Sequence, residues 1–182
     1  LSIRRQRQMC IRDRYIDVVL FGDDLGGQNG PLISPTMYRR YFKPWHSRLW
    51  HRVKELAPHV ITNLHCCGGI EPLLADLIEA GLESVNPVQI TCAGMDPAQL
   101  KRTYGNHFIF WGGGCDTREV LPNGNPATIR QNVNELLDIW SPGGGYIFQQ
   151  VHNIMANVPA ENILAMFDTV HHYNLKERSL TS

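Results

Sequence analysis

The chain is short of several things, and each shortage narrows what it does. No apolar run reaches the ~20 residues that a membrane-crossing helix needs, and no signal-peptide pattern is found. A cytoplasmic protein without a membrane partner is therefore expected. Neither sign of charge is in excess, because 17 basic and 17 acidic residues give a formal net charge of zero over 182 residues. That balance leaves no basic face for nucleic acid. A regular cysteine framework is missing too, since the five residues, at 10, 66, 67, 92 and 115, are odd in number with no framework spacing. This argues against a disulfide scaffold and for free thiols or metal ligands in a reducing compartment. No Gly-x-Gly-x-x-Gly follows the first apolar segment, so the dinucleotide-binding fingerprint is absent.

What is present begins with an odd head. Residues 1–14 hold five arginines and one acid, Asp13, and so carry +4, which leaves −4 for the remainder. The head shows no amphipathic period and no turn chemistry. One reading is a basic arm for an anionic partner. The preferred one is that residues 4–14 resemble translated sequencing adapter, so that the native chain starts near Tyr15 as the tail of a longer protein.

From Tyr15 onward strand-like and helix-like segments alternate. The apolar run 15–21 ends in a polar glycine-rich loop, 22–30. Ser34-Pro35 supplies an N-cap and a first-turn proline for a helix. Tyr38, Phe42, Trp45, Leu49, Val53 and Leu56 recur at steps of three and four and predict its buried face. Pro44 should kink that helix. Strand 59–65 then leads to helix 70–80, capped by Gly81. Strand 82–88 leads to a short helix opened by Asp96-Pro97, and strand 107–111 to one opened by Asn125-Pro126. Ile129, Val133, Leu136 and Trp140 share a face of the latter. Strand 146–151 leads to a last helix near Pro159, whose apolar residues are Ile163, Met166, Phe167 and Val170, and residues 175–182 read as a tail. Five strand–helix units without a hairpin signal predict an α/β fold with a parallel sheet. It is either an open doubly wound sheet or the last five units of a (β/α)8 barrel, which needs about 250 residues.

The chemistry gathers at the strand ends. Asp23, Asp24, Gln28, His65, Cys67, Asn86, Cys115, Asp116 and His152 all lie at or just past the C-terminal end of a strand. In a barrel these ends form one mouth, where catalytic residues collect. In an extended chain residues two apart point the same way, so His65 and Cys67 reach one point while Cys66 faces away. An imidazole and a thiolate converging there suit zinc. Two ligands do not make a site, and the third is open, with Cys115 one candidate at the same mouth. Asp23 or Asp24 is expected to orient substrate or move a proton, the other to accept from backbone amides of the loop. His152 is read as a substrate or cofactor contact. Gly113 and Gly114, in the run 112–114, would let backbone approach a ligand. His46, His51, His171 and His172 read as surface residues.

Several of these motifs, in order, resemble the uroporphyrinogen decarboxylase superfamily. They are Gly22-Asp23-Asp24 with Ser34-Pro35, His65-x-Cys67-Gly68, Trp111-Gly112-Gly113-Gly114 with Leu121-Pro122, and Gly144-Gly145-Tyr146 through His152-Asn153-Ile154 to Glu161-Asn162. The likeness runs from Tyr15 to about Tyr173. It implies the C-terminal part of a (β/α)8 TIM barrel over 15–174, completed by an N-terminal part of the barrel. It also implies an enzyme with one of two chemistries. The first is corrinoid-linked methyl transfer, with zinc activating a thiol or a methyl donor, a small donor or thiol acceptor, and a corrinoid supplied by a partner protein. The second is cofactor-free decarboxylation of uroporphyrinogen III to coproporphyrinogen. A non-catalytic tetrapyrrole-binding relative is a third reading. In the methyltransferases the zinc ligands are a His-x-Cys pair, which His65 and Cys67 resemble, and a distal cysteine in a Pro-Gly-Cys-Gly loop. Here that loop reads Pro142-Gly143-Gly144-Gly145, so the distal cysteine is missing and Cys115, Asp23, Asp24 or Asp116 would have to stand in. His152 resembles the decarboxylase histidine that sits on substrate. Gln28 and Asn86, with Gly113 and Gly114, are expected to touch the cofactor.

Overall fold

Alternation of β-branched strands with capped helices leaves one economical way to bury both faces of a sheet, which is to lay the helices across it. The chain, in a computed structural model that describes residues 16–181 and side chains to residue 175, does this five times. The basic head and its boundary at residue 14 lie outside the described residues. The strands are β1 (Val18–Gly22), β2 (Ile61–His65), β3 (Ser84–Asn86), β4 (Ile109–Trp111) and β5 (Tyr146–Ile147), parallel and in sequence order. Between and after them run α1 (Lys43–Leu56), α2 (Glu71–Glu79), α3 (Pro97–Tyr104), α4 (Pro126–Trp140) and α5 (Ala160–Thr181). This is an α/β sheet of five β/α units, an arc of a TIM barrel.

The helix boundaries have local causes. Ser34 Oγ accepts from Met37 N–H, Asp96 Oδ1 from Gln99 N–H, and Asn125 Oδ1 from Ala127 and Thr128 N–H, so each opens its helix as a side-chain cap. Gly81, with φ of 103°, closes α2 in the left-handed region that a Cβ disfavours. The strands are shorter than the apolar runs that encode them, but pairing outlasts β5, because Gly114 N–H still donates to Gln149 O. The glycine-rich loop contains a miniature hairpin, Gly26–Gly27 against Gly30–Pro31. It was not expected, since its two turn residues are Gln28-Asn29 rather than an Asn-Gly type.

Two helix faces differ from expectation. Before α1 the chain makes a short helix (Pro35–Met37) and a π-helical turn (Tyr38–Phe42), and Pro44 falls in the first turn of α1. The proline's missing N–H is accommodated at this junction. The wider π turn keeps Tyr38, Phe42, His46 and Trp50 in line at steps of four, and rings stack along that line, His46 on Trp50 at 4.6 Å. Tyr38 and Trp50 are wholly buried, whereas Trp45 is 66% exposed, and Leu49 and Leu56 are exposed with it. The face inferred from Trp45, Leu49 and Leu56 is therefore the neighbouring one. In α5 the buried positions are Asn162, Ala165, Met166 and Thr169, and Phe167 is exposed. Asn162 sets that rotation by donating to Leu121 O and Gly124 O. α5 also runs past the expected boundary at Asn174, because no glycine or proline follows to stop it.

The core forms two clusters. The larger packs Leu64, Val85 and Phe110 of the sheet against Trp50, Leu73, Leu77, Leu100 and Trp140 of the helices. The smaller gathers Leu121, Ile129, Val133, Leu137 and Met166. Asp76 of α2 is buried between Arg39 and Lys43 at 2.9 and 2.8 Å, and its pairing with these two cations holds its carboxyl below the usual range against the opposing effect of burial. Both sheet edges stay open among the described residues. Along β1 an apolar groove is lined by Val19, Leu49, Val53, Leu56 and Val60, and Leu20 is 63% exposed. Contiguous apolar surface of this kind needs a cover. Residues 16–181 produced alone are therefore expected to self-associate in light scattering, and Leu49→Glu to relieve it. A monodisperse, cooperatively melting sample would contradict an exposed barrel seam.

Candidate metal centre

Parallel pairing brings the polar strand ends side by side. Gly22 pairs with His65 and His65 with Asn86. Odd positions of β2 turn to the sheet face opposite the helices: Asn63 lines an open pocket of about 350 Å³ there with Val18, Leu20, Asn86, Trp111 and Gln149, and His65 follows it on the same face. Cys67, two residues on, faces the same way. Ligand atoms of His65, Cys67 and His152 all lie within 4.8 Å of one another. His152 arrives on the loop after β5, where Val151 N–H donates to Cys115 O and seats the turn.

The donor set fits zinc. Bonds of ~2.05 Å to nitrogen and ~2.3 Å to sulfur at a tetrahedral angle place the two ligand atoms ~3.6 Å apart, and Cys67 Sγ lies 3.5 Å from His65 Nε2. Three protein ligands would leave a fourth position open on such an ion, the pattern of catalytic rather than structural zinc. Burial first, then the negative charge of Asp24, push the Cys67 thiol up. A divalent cation must therefore displace its proton.

The segment carrying Cys67 is clamped. Cys67 N–H donates to Asp24 Oδ1 at 3.0 Å, Gly68 N–H to Gln89 Oε1 and Gly69 N–H to Gly27 O. Gly68 has φ of 88°, and a Cβ there would lie 2.3 Å from the Gly26 carbonyl carbon, so only glycine permits this approach. Asp24 is thus the residue that holds backbone amides. Asp23 turns to the helix layer, where its Oδ2 meets His46 Nε2 at 3.1 Å and His46 Nδ1 meets the Tyr38 hydroxyl at 3.0 Å. Burial pushes the Tyr38 phenol up, so it remains a donor. His46 is consequently a half-buried neighbour of Asp23 rather than a surface residue. The four-residue spacing of His46 from Phe42 and Trp50 was the signal for it.

The other expected site residues divide between the site and the packing around it. Cys115 does not join the cluster: it is wholly buried among Leu121, Ile129 and Val133 in the smaller core, and burial pushes its thiol up to about 12. A strand end followed by a tight turn sends that side chain into the core. Gln28 ties loops together, donating to Thr91 O at 2.9 Å. A Cβ on Gly114 would meet the Phe148 ring at 2.4 Å, and Gly113 O accepts from Trp140 Nε1, so packing within the chain accounts for both glycines. Asn86 lies against the His65 ring, at 2.7 Å from Nδ1. Asp116 caps the following turn through Arg118 and Glu119 N–H.

Comparison with known proteins agrees with this architecture. The family model described as Uroporphyrinogen decarboxylase (URO-D) matches residues 9–173. A uroporphyrinogen decarboxylase of Coxiella burnetii (strain RSA 331 / Henzerling II) is 26% identical over 173 residues, covering 91% of this chain and 44% of the relative. The one from Legionella pneumophila (strain Corby) is 26% identical over 156 residues, covering 86% and 41%. Among solved structures, a methyltransferase from Methanosarcina mazei superposes with TM-score 0.65 at 21% identity, over 87% of this chain and 42% of that one. The chain thus spans less than half the length of the relatives it matches.

Zinc affinity is expected to fall about tenfold per pH unit as pH drops toward neutrality from the alkaline side, because the Cys67 proton competes directly with the ion below the thiol's raised pKa. Chelator competition at several pH values measures this. Cys67→Ser should flatten the slope and weaken binding by at least tenfold.

Proposed function

We propose, on the premise that the chain belongs to the uroporphyrinogen decarboxylase (URO-D) family, that it serves zinc-dependent, corrinoid-linked methyl transfer. The observation that carries the reading is the convergence of His65, Cys67 and His152 at the sheet's C-terminal mouth. Decarboxylation of a uroporphyrinogen requires no such soft donor pair at the mouth of the sheet. Zinc bound there would supply a Lewis acid for a small thiol acceptor or for the oxygen of a methyl donor.

The chain's own groups do the rest. The clamp of Asp24 and Gln89 on residues 67–68 holds the sulfur against the imidazole. The pocket lined by Asn63, Asn86, Trp111 and Gln149 admits a small polar molecule beside them. The corrinoid would come on a partner protein, and an N-terminal part of the barrel would cover the apolar groove along β1. A cytoplasmic setting suits free thiols, and no helix among the described residues is long and apolar enough to cross a membrane.

A second reading, decarboxylation of uroporphyrinogen III, draws on the relatives that carry that name and on His152, which is exposed at the mouth. The two separate in one experiment on the full-length protein prepared without oxygen. About one zinc per chain, with methyl exchange between a methylcorrinoid and a thiol that is lost on zinc removal, is the expected outcome. Uroporphyrinogen decarboxylation by metal-free protein would overturn it. Tetrapyrrole binding with neither activity would point to a non-catalytic relative.

A further inference from the structure

A chain of hydrogen bonds crosses the strand ends beside the proposed metal ligands. Asn86 Oδ1 lies 2.7 Å from His65 Nδ1. Asn86 Nδ2 donates to Trp111 O at 3.0 Å and to Gln149 Oε1 at 2.8 Å. The chain therefore links β2, β3, β4 and the segment after β5, and ends three residues before His152.

The direction of every bond follows from one group. A backbone carbonyl only accepts, so the end of the Asn86 amide that faces Trp111 O must be its NH2. Its oxygen then faces His65, and an amide oxygen only accepts. Nδ1 of His65 must carry the hydrogen, which leaves Nε2 with its lone pair. Nε2 is the atom 3.5 Å from Cys67 Sγ. Gln149 fixes the second hydrogen of the Asn86 NH2, and its backbone is held by Gly114 N–H donating to its carbonyl. An amide so anchored cannot flip without leaving a mostly buried polar group unpaired.

We propose that Asn86 and Gln149 are positioning residues that hold the His65 imidazole in the Nδ1–H form with Nε2 turned to Cys67 and His152, and thereby set its affinity for a divalent cation. Outer partners of this kind raise ligand basicity and fix ring orientation, and their loss typically costs 10–100-fold in metal affinity. The affinity consequence rests on the metal-site reading. The tautomer does not, since it is readable without an ion.

The test uses the full-length protein, with zinc affinity by chelator competition and the His65 ring nitrogens followed by long-range ¹H–¹⁵N correlation. In wild type Nδ1 is expected to carry the proton and Nε2 to be bare. Asn86→Leu should release the tautomer and weaken zinc binding about 10–100-fold. Asn86→Asp keeps an acceptor for Nδ1–H and should stay within a few fold of wild type. Gln149→Leu should lose less than Asn86→Leu, because Trp111 O still orients Asn86; it also carries the test should Asn86→Leu fail to fold. A wild-type His65 protonated at Nε2, or zinc affinity unchanged in both leucine variants, would overturn the proposal. Wild type without zinc affinity but with the Nδ1–H tautomer would overturn the metal-site reading and leave the positioning role standing.

Discussion

The parallel register of β1, β2 and β3 is the constraint on which the rest depends. With Gly22 opposite His65 and His65 opposite Asn86, three strands end level at one rim. A one-residue slip of β2 would turn His65 and Cys67 toward the helices and Cys66 toward the mouth. The register is held by burial on both faces: Leu64 and Val85 enter the helix-side core, while Asn63 and Asn86 line the open pocket on the opposite face. Packing energy spread over the sheet thus sets the position of two side chains to within a bond length of what a cation needs.

Around that rim the polar groups divide the work by direction. Those pointing inward meet each other, as His65, Cys67 and His152 do. Those pointing toward the helices become structural, as Asp23 does with His46, and Cys66, whose thiol burial pushes up to about 12. The glycines at 26 and 68 lie between the two groups and let the loop after β1 press on the chain after β2. Along β2 and its extension, alternation therefore sorts chemically similar residues between the mouth and the core, with adjacent Cys66 and Cys67 the plainest case.

Much of this was legible in the sequence. The five units, the caps at Ser34, Asp96 and Asn125 and the pairing of His65 with Cys67 all follow from local periodicity and side-chain chemistry. The third member of the cluster did not. Cys115 is the better soft ligand on chemistry, but the turn after β4 sends it into the core, and nothing local in the sequence reports that. His152 sits in an irregular loop after a two-residue strand, where alternation gives no direction. The buried face of α1 differs from the one its periodicity predicts because a π turn beside Pro44 changes the helical period without changing composition. At Asn86 a polar residue at a strand end carries no mark in the sequence of its contact with the neighbouring His65 ring, which the structure adds to its place on the pocket wall.

The central claim is that two imidazoles and one thiolate, His65, His152 and Cys67, form the inner sphere of a metal site at this rim. Zinc-edge X-ray absorption on the purified full-length protein, free of substrate and added thiol, measures that sphere directly. The account predicts one sulfur at about 2.3 Å and nitrogen or oxygen neighbours at about 2.0–2.1 Å, with the multiple-scattering pattern of two imidazoles. Two sulfurs in the shell, or a shell without imidazole, would contradict it.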